Sequence, residues 1–195
     1  MDSIISLKEN IKNCSVCSEH LPFDPRPVIQ IDKRSRILIA GQAPGKKVHE
    51  TGIPFNDPSG DRLREWLGIS KETFYDPEQI AILPMGFCYP GTGKSGDLAP
   101  RAECAKKWRS TLLSSLTNIQ LTLIIGQYAI AYHLPKEKKN LTDIVHDWQS
   151  NWPDTIVLPH PSPRNNLWLK RNPWFKDELL PKLRARVCDV LSSTG

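Results

Sequence analysis

The ten residues RILIAGQAPG, positions 36–45, decide the fold. A short apolar run with no polar alternation reads as a strand buried on both faces. The Gly-Gln-Ala-Pro-Gly that ends it is turn chemistry. Two glycines and a proline do not continue a strand, and they leave backbone N–H groups exposed to a planar or anionic ligand. Outward from there the same grammar repeats. IAILPMGF (80–87) is a second strand candidate, LTLII (121–125) a third that ends at Gly126, and TIVL (155–158) a fourth that ends at Pro159-His160-Pro161. A further short strand is allowed at 28–31. Helical patterns occupy 3–13, 102–116, 127–134 and 141–149. Another is capped by Ser59, sets Leu63, Trp66 and Leu67 on one face and stops at Gly68. A last helix opens at Asn172-Pro173 and is kinked or split by Pro181. Short buried strands alternating with helices predict an α/β fold: three layers, α/β/α, around a central, mainly parallel four-stranded sheet, in a single domain over residues 1–195.

The bulk properties narrow the function classes. No apolar run is long enough to span a membrane, and MDSIISLKENIKNC has no basic segment leading into an apolar stretch, so a cytoplasmic, nucleoid-associated, membrane-free monomer is the expectation. The net charge of +5 permits a polyanionic partner. Its distribution says more: residues 164–186 hold seven basic side chains against two acidic ones. Such a stretch is either a solvated helix face or a track for a phosphate backbone. Of the five cysteines, Cys14 and Cys17 form a C-x2-C pair, Cys88 and Cys104 are a wider pair, and Cys188 reads as packed in a helix. Four thiolates can ligate zinc or an iron–sulfur cluster, and four unrelated buried cysteines are the plain alternative.

In open α/β sheets, chemistry gathers beyond the carboxyl ends of the strands. Here those ends carry the 41–45 turn (Gly41, Gln42, Ala43, Pro44, Gly45), the stretch before Cys88, Gly126-Gln127, and His160-Pro161-Ser162-Pro163-Arg164-Asn165. The turn lacks a terminal Gly-Lys-Ser/Thr and is no Walker loop. Gly93-Lys94-Ser95 resembles the end of one, but its upstream glycine is misplaced. A histidine held between prolines is rigidly placed to donate to an oxygen that gains negative charge. In TGIPFND (51–57), Phe55 can stack on a base and Asp57 can orient water, although a core aromatic and a turn aspartate fit the same letters.

Taken together and in order, these segments resemble the uracil-DNA glycosylase superfamily. The layout is similar to that of its iron–sulfur families 4 and 5. The resemblance rests on GQAPG after the first strand, T-G-x-P-F at 51–55, C-x2-C followed by C-x15-C, and HPS at 160–162. It covers roughly residues 14–172 and implies the same α/β/α fold. It also implies a [4Fe-4S] cluster on Cys14, Cys17, Cys88 and Cys104, with zinc or no metal as alternatives. Departures matter as much. Ala43 replaces the water-activating acid of the uracil-specific subgroup, and Pro84 replaces an asparagine that reads uracil in family 4. Asp57 lies in a stretch similar to the family 5 G-D-A-S-G, so it is the expected water activator, with Glu50 and His49 as alternatives. Backbone groups of Met85, Gly86 and Phe87 would then read the base. HPSPRN resembles the single-strand-selective monofunctional subgroup, with Leu167 and Trp168 as the wedge that replaces a flipped nucleotide.

The expected protein is therefore a monofunctional glycosylase of base excision repair, acting on uracil, or on other deaminated or damaged bases, in DNA. Its catalytic set would be His160, Asp57 and Gln42, the last through its backbone amide. Phe55 would stack on the base, Gly41, Ala43, Pro44 and Gly45 would cradle it, and Ser162, Arg164 and Asn165 would hold the DNA backbone. Two other classes compete. One is a binder of uracil or abasic DNA with little turnover, which could form a covalent adduct through His160. The other is a metabolic enzyme acting on free nucleosides.

Overall fold

The computed structural model describes residues 4–94 and 96–192. Ser3 of the first expected helix and Ser95 of the Gly-Lys-Ser stretch lie outside the described residues. The chain opens with helix α1 (Ile4–Lys12), followed by strand β1 (Ile37–Ala40), helices α2 (Lys46–Thr51), α3 (Pro58–Leu67) and α4 (Lys71–Phe74), and strand β2 (Ile80–Ile82). A two-residue hairpin, β3 (Thr92–Gly93) and β4 (Gly96–Asp97), is formed within the glycine-rich loop. Then come α5 (Ala102–Cys104), a π-helical turn (Ala105–Arg109), α6 (Ser110–Ser115), β5 (Leu121–Ile125), α7 (Gln127–His133), α8 (Leu141–His146) and β6 (Thr155–Leu158). Helix α9 (Asn166–Arg171), a second π-helical turn (Phe175–Leu179) and α10 (Leu180–Ser192) complete the chain.

The main sheet has four strands in the order β2-β1-β5-β6, and every pairing is parallel. Ile39 sits at its centre, in register with Ile82 on one side and Leu123 on the other. The period of two sends β1 and β2 side chains to opposite faces. Ile37, Ile39, Ile80 and Ile82 join a core with α3, α7, α8 and α10. Leu38, Ala81 and Leu83 join a smaller core with Leu7 and Ile11 of α1 and Leu112 of α6. Both faces are thus covered, as a parallel sheet requires, and the three-layer expectation holds. Among the described residues, no helix is long and apolar enough to cross a membrane.

Several local expectations are corrected. Residues 28–31 give no strand but a single antiparallel bridge, Gln30 to Ile82, which closes the open edge of β2. The cap of α3 is Asp57, whose carboxylate accepts the Gly60 N–H at 2.8 Å, while Ser59 is buried in the first turn. Gly68 does end α3, in the left-handed conformation. Asn172 both closes α9 and, as expected, directly precedes the last helical stretch, whose first residue is Pro173 and whose Phe175 N–H donates to the Asn172 carbonyl at 3.1 Å. Pro181 stands inside the continuous helical stretch 173–192, directly after the π-helical turn Phe175–Leu179, so the helix changes from π to α geometry next to the residue that has no N–H to donate.

Candidate active site

Because all four strands run the same way, their carboxyl ends share one edge. A cleft of about 490 Å³ opens there. Its floor is the 41–45 turn, its walls carry Pro54, Phe55, Asp57, His160, Ser162, Arg164 and Asn165, and the β3–β4 hairpin contributes Gly96 and Asp97. The turn is held in place by the chain leaving β2. Met85 N–H donates to the Gly41 carbonyl at 2.9 Å and Gly86 N–H to the Gln42 carbonyl at 3.0 Å. The Gln42 side chain reaches the Leu98 carbonyl at 3.5 Å and so touches the hairpin.

His160 is positioned from three sides. Its Nδ1 accepts the Ser162 N–H at 3.2 Å, and Asn165 Nδ2 donates to its carbonyl at 2.7 Å. On α3, Arg62 donates to the Ser162 carbonyl at 3.0 Å and to Asn166 Oδ1 at 2.8 Å, which clamps the HPSPRN segment against the helix. Burial pushes the imidazole below its ordinary pKa, and the carboxylates of Asp57 and Asp97 oppose that shift. A neutral ring with Nδ1 accepting must carry its proton on Nε2. The residue is thus a fixed, neutral N–H donor.

Phe55 has φ 53°, the left-handed region that bulky residues avoid. Gly60 explains how that conformation is accommodated: a Cβ there would lie 1.7 Å from the Phe55 carbonyl oxygen, so the first turn of α3 can approach Phe55 only as glycine. The ring stands edge-on to Phe74 with centroids 6.0 Å apart. Its Cζ would be 3.7 Å from a Cβ on Gly41, which sets the aromatic edge over the turn. A planar ligand on the 41–45 floor meets this ring.

The structure does not bring every expected residue to the cleft. Pro84 lines it, but Met85 and Phe87 are buried in the two cores, and Gly86 faces the cysteines. The N–H groups of Met85 and Gly86 are committed to the turn, and that of Phe87 to Cys104 Sγ at 3.3 Å. No amide of this segment remains to read a base. Of the wedge pair, Leu167 is 57% exposed. Trp168 turns inward: its indole N–H donates to Thr142 Oγ1 at 2.9 Å, and its ring packs on Trp174 and Phe175. Glu50 and His49 stand outside the cleft lining, and His49 is stacked on Phe23 at 5.2 Å. Sequence reasoning missed Arg62, Asp97 and Arg109. Arg109 is 0% exposed. It donates to the Leu83 and Pro84 carbonyls, at 3.0 Å each, and pairs with His133 Nε2 at 2.6 Å.

The four expected metal-ligating cysteines line one pocket with Val16, Trp108, Arg101 and Lys107. Trp108 Nε1 donates to Cys14 Sγ at 3.3 Å, so two of the sulfurs already accept N–H hydrogen bonds. Burial pushes the Cys88 thiol up to about 11 and that of Cys104 up to about 12, with the neighbouring cysteines adding to both shifts. Cys17 is raised for the same reasons. Cys188 stands apart and is exposed. Among the described residues, no three His, Cys, Asp or Glu side chains are close enough to hold a single metal ion. Four thiols in one pocket, two of them accepting N–H hydrogen bonds, are the side chains that could hold a metal cluster.

The carboxyl edge of the parallel sheet thus gathers a buried histidine, an aromatic ring and a tight glycine-proline turn in one cleft. A family model, uracil DNA glycosylase superfamily, matches residues 28–184, and the chain belongs to that superfamily. It is similar to the type-4 uracil-DNA glycosylase of Thermotoga maritima, with 23% identity over 138 residues, 71% of this chain and 69% of the relative. The protein is accordingly a DNA glycosylase, a hydrolase of N-glycosidic bonds.

Proposed function

We propose that the protein is a monofunctional, monomeric glycosylase that removes uracil, and other deaminated bases with a similar edge, from DNA. The observation that carries this reading is the fixed tautomer of His160. Breaking the C1′–N bond sends its electron pair onto the base, and the negative charge collects on an exocyclic carbonyl oxygen. The Nε2–H of His160 is a preorganised donor for that oxygen, in a cleft too buried to favour the imidazolium. The target nucleotide must first leave the helix, at a cost of a few kcal/mol. Leu167 then fills the vacated space, Phe55 stacks on the base, and the 41–45 turn supports it from below. Water reaches C1′ beside Asp57, whose carboxylate uses one oxygen to cap α3. Ser162 and Arg164 face the DNA backbone.

Base selection is proposed to be permissive. Pro84 brings no side-chain donor or acceptor, and the neighbouring amides are engaged within the protein. Cys14, Cys17, Cys88 and Cys104 would hold a [4Fe-4S] cluster. It would supply a covalent cross-link between the segment after α1, the segment after β2 and α5, remote from the reacting bond. A covalent adduct through His160 is disfavoured, because attack would need the Nε2 lone pair that the tautomer protonates.

The test is base release from oligonucleotides carrying uracil, hypoxanthine or xanthine, in single and double strands, read as alkali-labile sites. Cleavage at uracil and at least one other base is expected. Tight binding with no alkali-labile site at any lesion would sink the glycosylase reading for this cleft.

A further inference from the structure

The cleft holds a second carboxylate besides Asp57. Asp97 stands at the end of β4, on a hairpin that pairs only with itself. Its Oδ2 lies 3.4 Å from where a Cβ on Gly45 would be, so the hairpin hangs the carboxylate directly over the end of the 41–45 turn. It lines the same cleft as His160 and Phe55. The hairpin is braced on both sides of the cleft: the Gln42 side chain reaches the Leu98 carbonyl, and the Arg164 guanidinium lies against Gly96, its Nη1 2.9 Å from where a Cβ would stand. Among the described residues, Asp97 makes no side-chain hydrogen bond and no ion pair.

Asp57 is differently placed. Its Oδ1 accepts the Gly60 N–H at the start of a ten-residue helix. The helix N-terminus carries partial positive charge that offsets part of the carboxylate's own. Of the two cleft carboxylates, Asp97 is therefore the less compensated.

We propose that Asp97 is a catalytic residue of the glycosylase reaction, the carboxylate that faces the deoxyribose as it becomes cationic. This rests on the reading of the cleft given above. In the step concerned, the C1′–N bond breaks with both electrons leaving on the base, which is held by the His160 N–H. Water oxygen bonds to C1′, and the proton it loses passes to solvent through Asp57. Asp97 takes part in no bond change. It offsets the positive charge on the sugar between the two events, opposite the negative charge that forms on the base. Asp57 and Asp97 line the same cleft as His160, and both act against the effect of burial on its imidazole.

The experiment compares binding of two non-reacting DNA duplexes, one with a cationic pyrrolidine in place of the target sugar and one with a neutral tetrahydrofuran. The wild-type protein is expected to prefer the cationic duplex at least tenfold. Asp97→Asn should lose that preference with little change in affinity for the neutral duplex, and Asp57→Asn should keep most of it. In single-turnover release of uracil, Asp97→Asn should be slower by about 100-fold, equivalent to ~2.7 kcal/mol at about 1.36 kcal/mol per factor of ten. Unchanged preference in Asp97→Asn, or no preference in the wild type, would overturn the assignment. Preference for the cationic duplex with no base release would sink the glycosylase reading instead and leave the placement of Asp97 standing. A thermal melt of the variant identifies any loss of folding.

Discussion

The cleft and the cysteine pocket lie on either side of one segment, residues 84–88, and burial acts on both in the same direction. In the cleft it keeps His160 neutral, and in the pocket it keeps the thiols protonated. The consequences differ because the tasks differ. A neutral imidazole with a fixed N–H is the working state of a donor aimed at a leaving oxygen. A protonated thiol is only a resting state, since ligation requires the thiolate. The cleft thus holds its histidine in one protonation state as folded, whereas any metal bound in the pocket would have to displace protons. Pro84 faces the first and Gly86, Phe87 and Cys88 the second, so a few residues of backbone carry both.

The largest expected effect breaks the comparison on the cleft side. His160→Ala removes the donor from a preorganised site, and loss of one such donor costs about 10²–10³-fold in rate. Single-turnover uracil release should fall by that amount. The thermal midpoint and any iron absorbance should hardly change, because the cysteines share no contact with His160. A matched loss of iron in the same variant would show that the two regions are not independent.

Next comes the residue that joins them. Arg109 leaves the π-helical turn after Cys104, and its guanidinium holds the carbonyls of Leu83 and Pro84. Arg109→Met would leave two buried carbonyls and the His133 nitrogen without their donor, at a cost of about 3 kcal/mol in unfolding free energy. Denaturant unfolding measures it. Both uracil release and iron retention should decline together, which neither His160→Ala nor a cysteine variant should produce. On the pocket side alone, Cys104→Ala should abolish the brown colour of an anaerobically purified sample and lower the melting temperature.

A smaller effect sharpens how the cleft floor is built. Gly60→Ala drives a methyl into the Phe55 carbonyl. The α3 N-terminus and Phe55 must separate, at a cost of about 2 kcal/mol. Asp57 and Phe55 move with them, so base release should weaken more than the melting temperature suggests. Equal losses in both would mean that Phe55 has no special place in binding.

These residues also show what the chain makes readable. Apolar runs gave the sheet because strand burial is a local property: 121–125 and 155–158 were legible to the residue. Cysteine spacing gathered four side chains correctly into one pocket, and proline-flanked His160 fell where its neighbours put it. What escaped depends on contacts distant in sequence. Ser59 and Asp57 are equally good caps on paper, and only the folded first turn selects Asp57. NLWL reads as a wedge of two, yet Trp168 is drawn in by Thr142 and the Trp174–Phe175 pair. Nothing local in the glycine-rich loop marks Asp97, and only the β3–β4 hairpin sets it over Gly45. Arg109 lies in an amphipathic helical pattern that does not mark it for burial, because its carbonyl partners are 25 and 26 residues away.

The smallest effect tests whether burial sets protonation beyond the cleft itself. His133 accepts from Arg109, and burial first, then the Arg109 charge, lowers its pKa to about 4 from the ordinary 6.5. A base with a lowered native pKa binds fewer protons when folded than when unfolded. Stability is then flat above about 6.5 and falls as the pH drops from there toward about 4, because the unfolded chain takes up the proton first. His160 adds a loss of the same sign. His133→Gln keeps an acceptor for Arg109 but does not titrate, so its unfolding free energy should decline less steeply over that interval. Chemical denaturation at several pH values between the two limits measures the difference. Equal slopes in the variant and the wild type would mean that His133 is protonated in the folded protein, and that its hydrogen bond with Arg109 does not persist in solution.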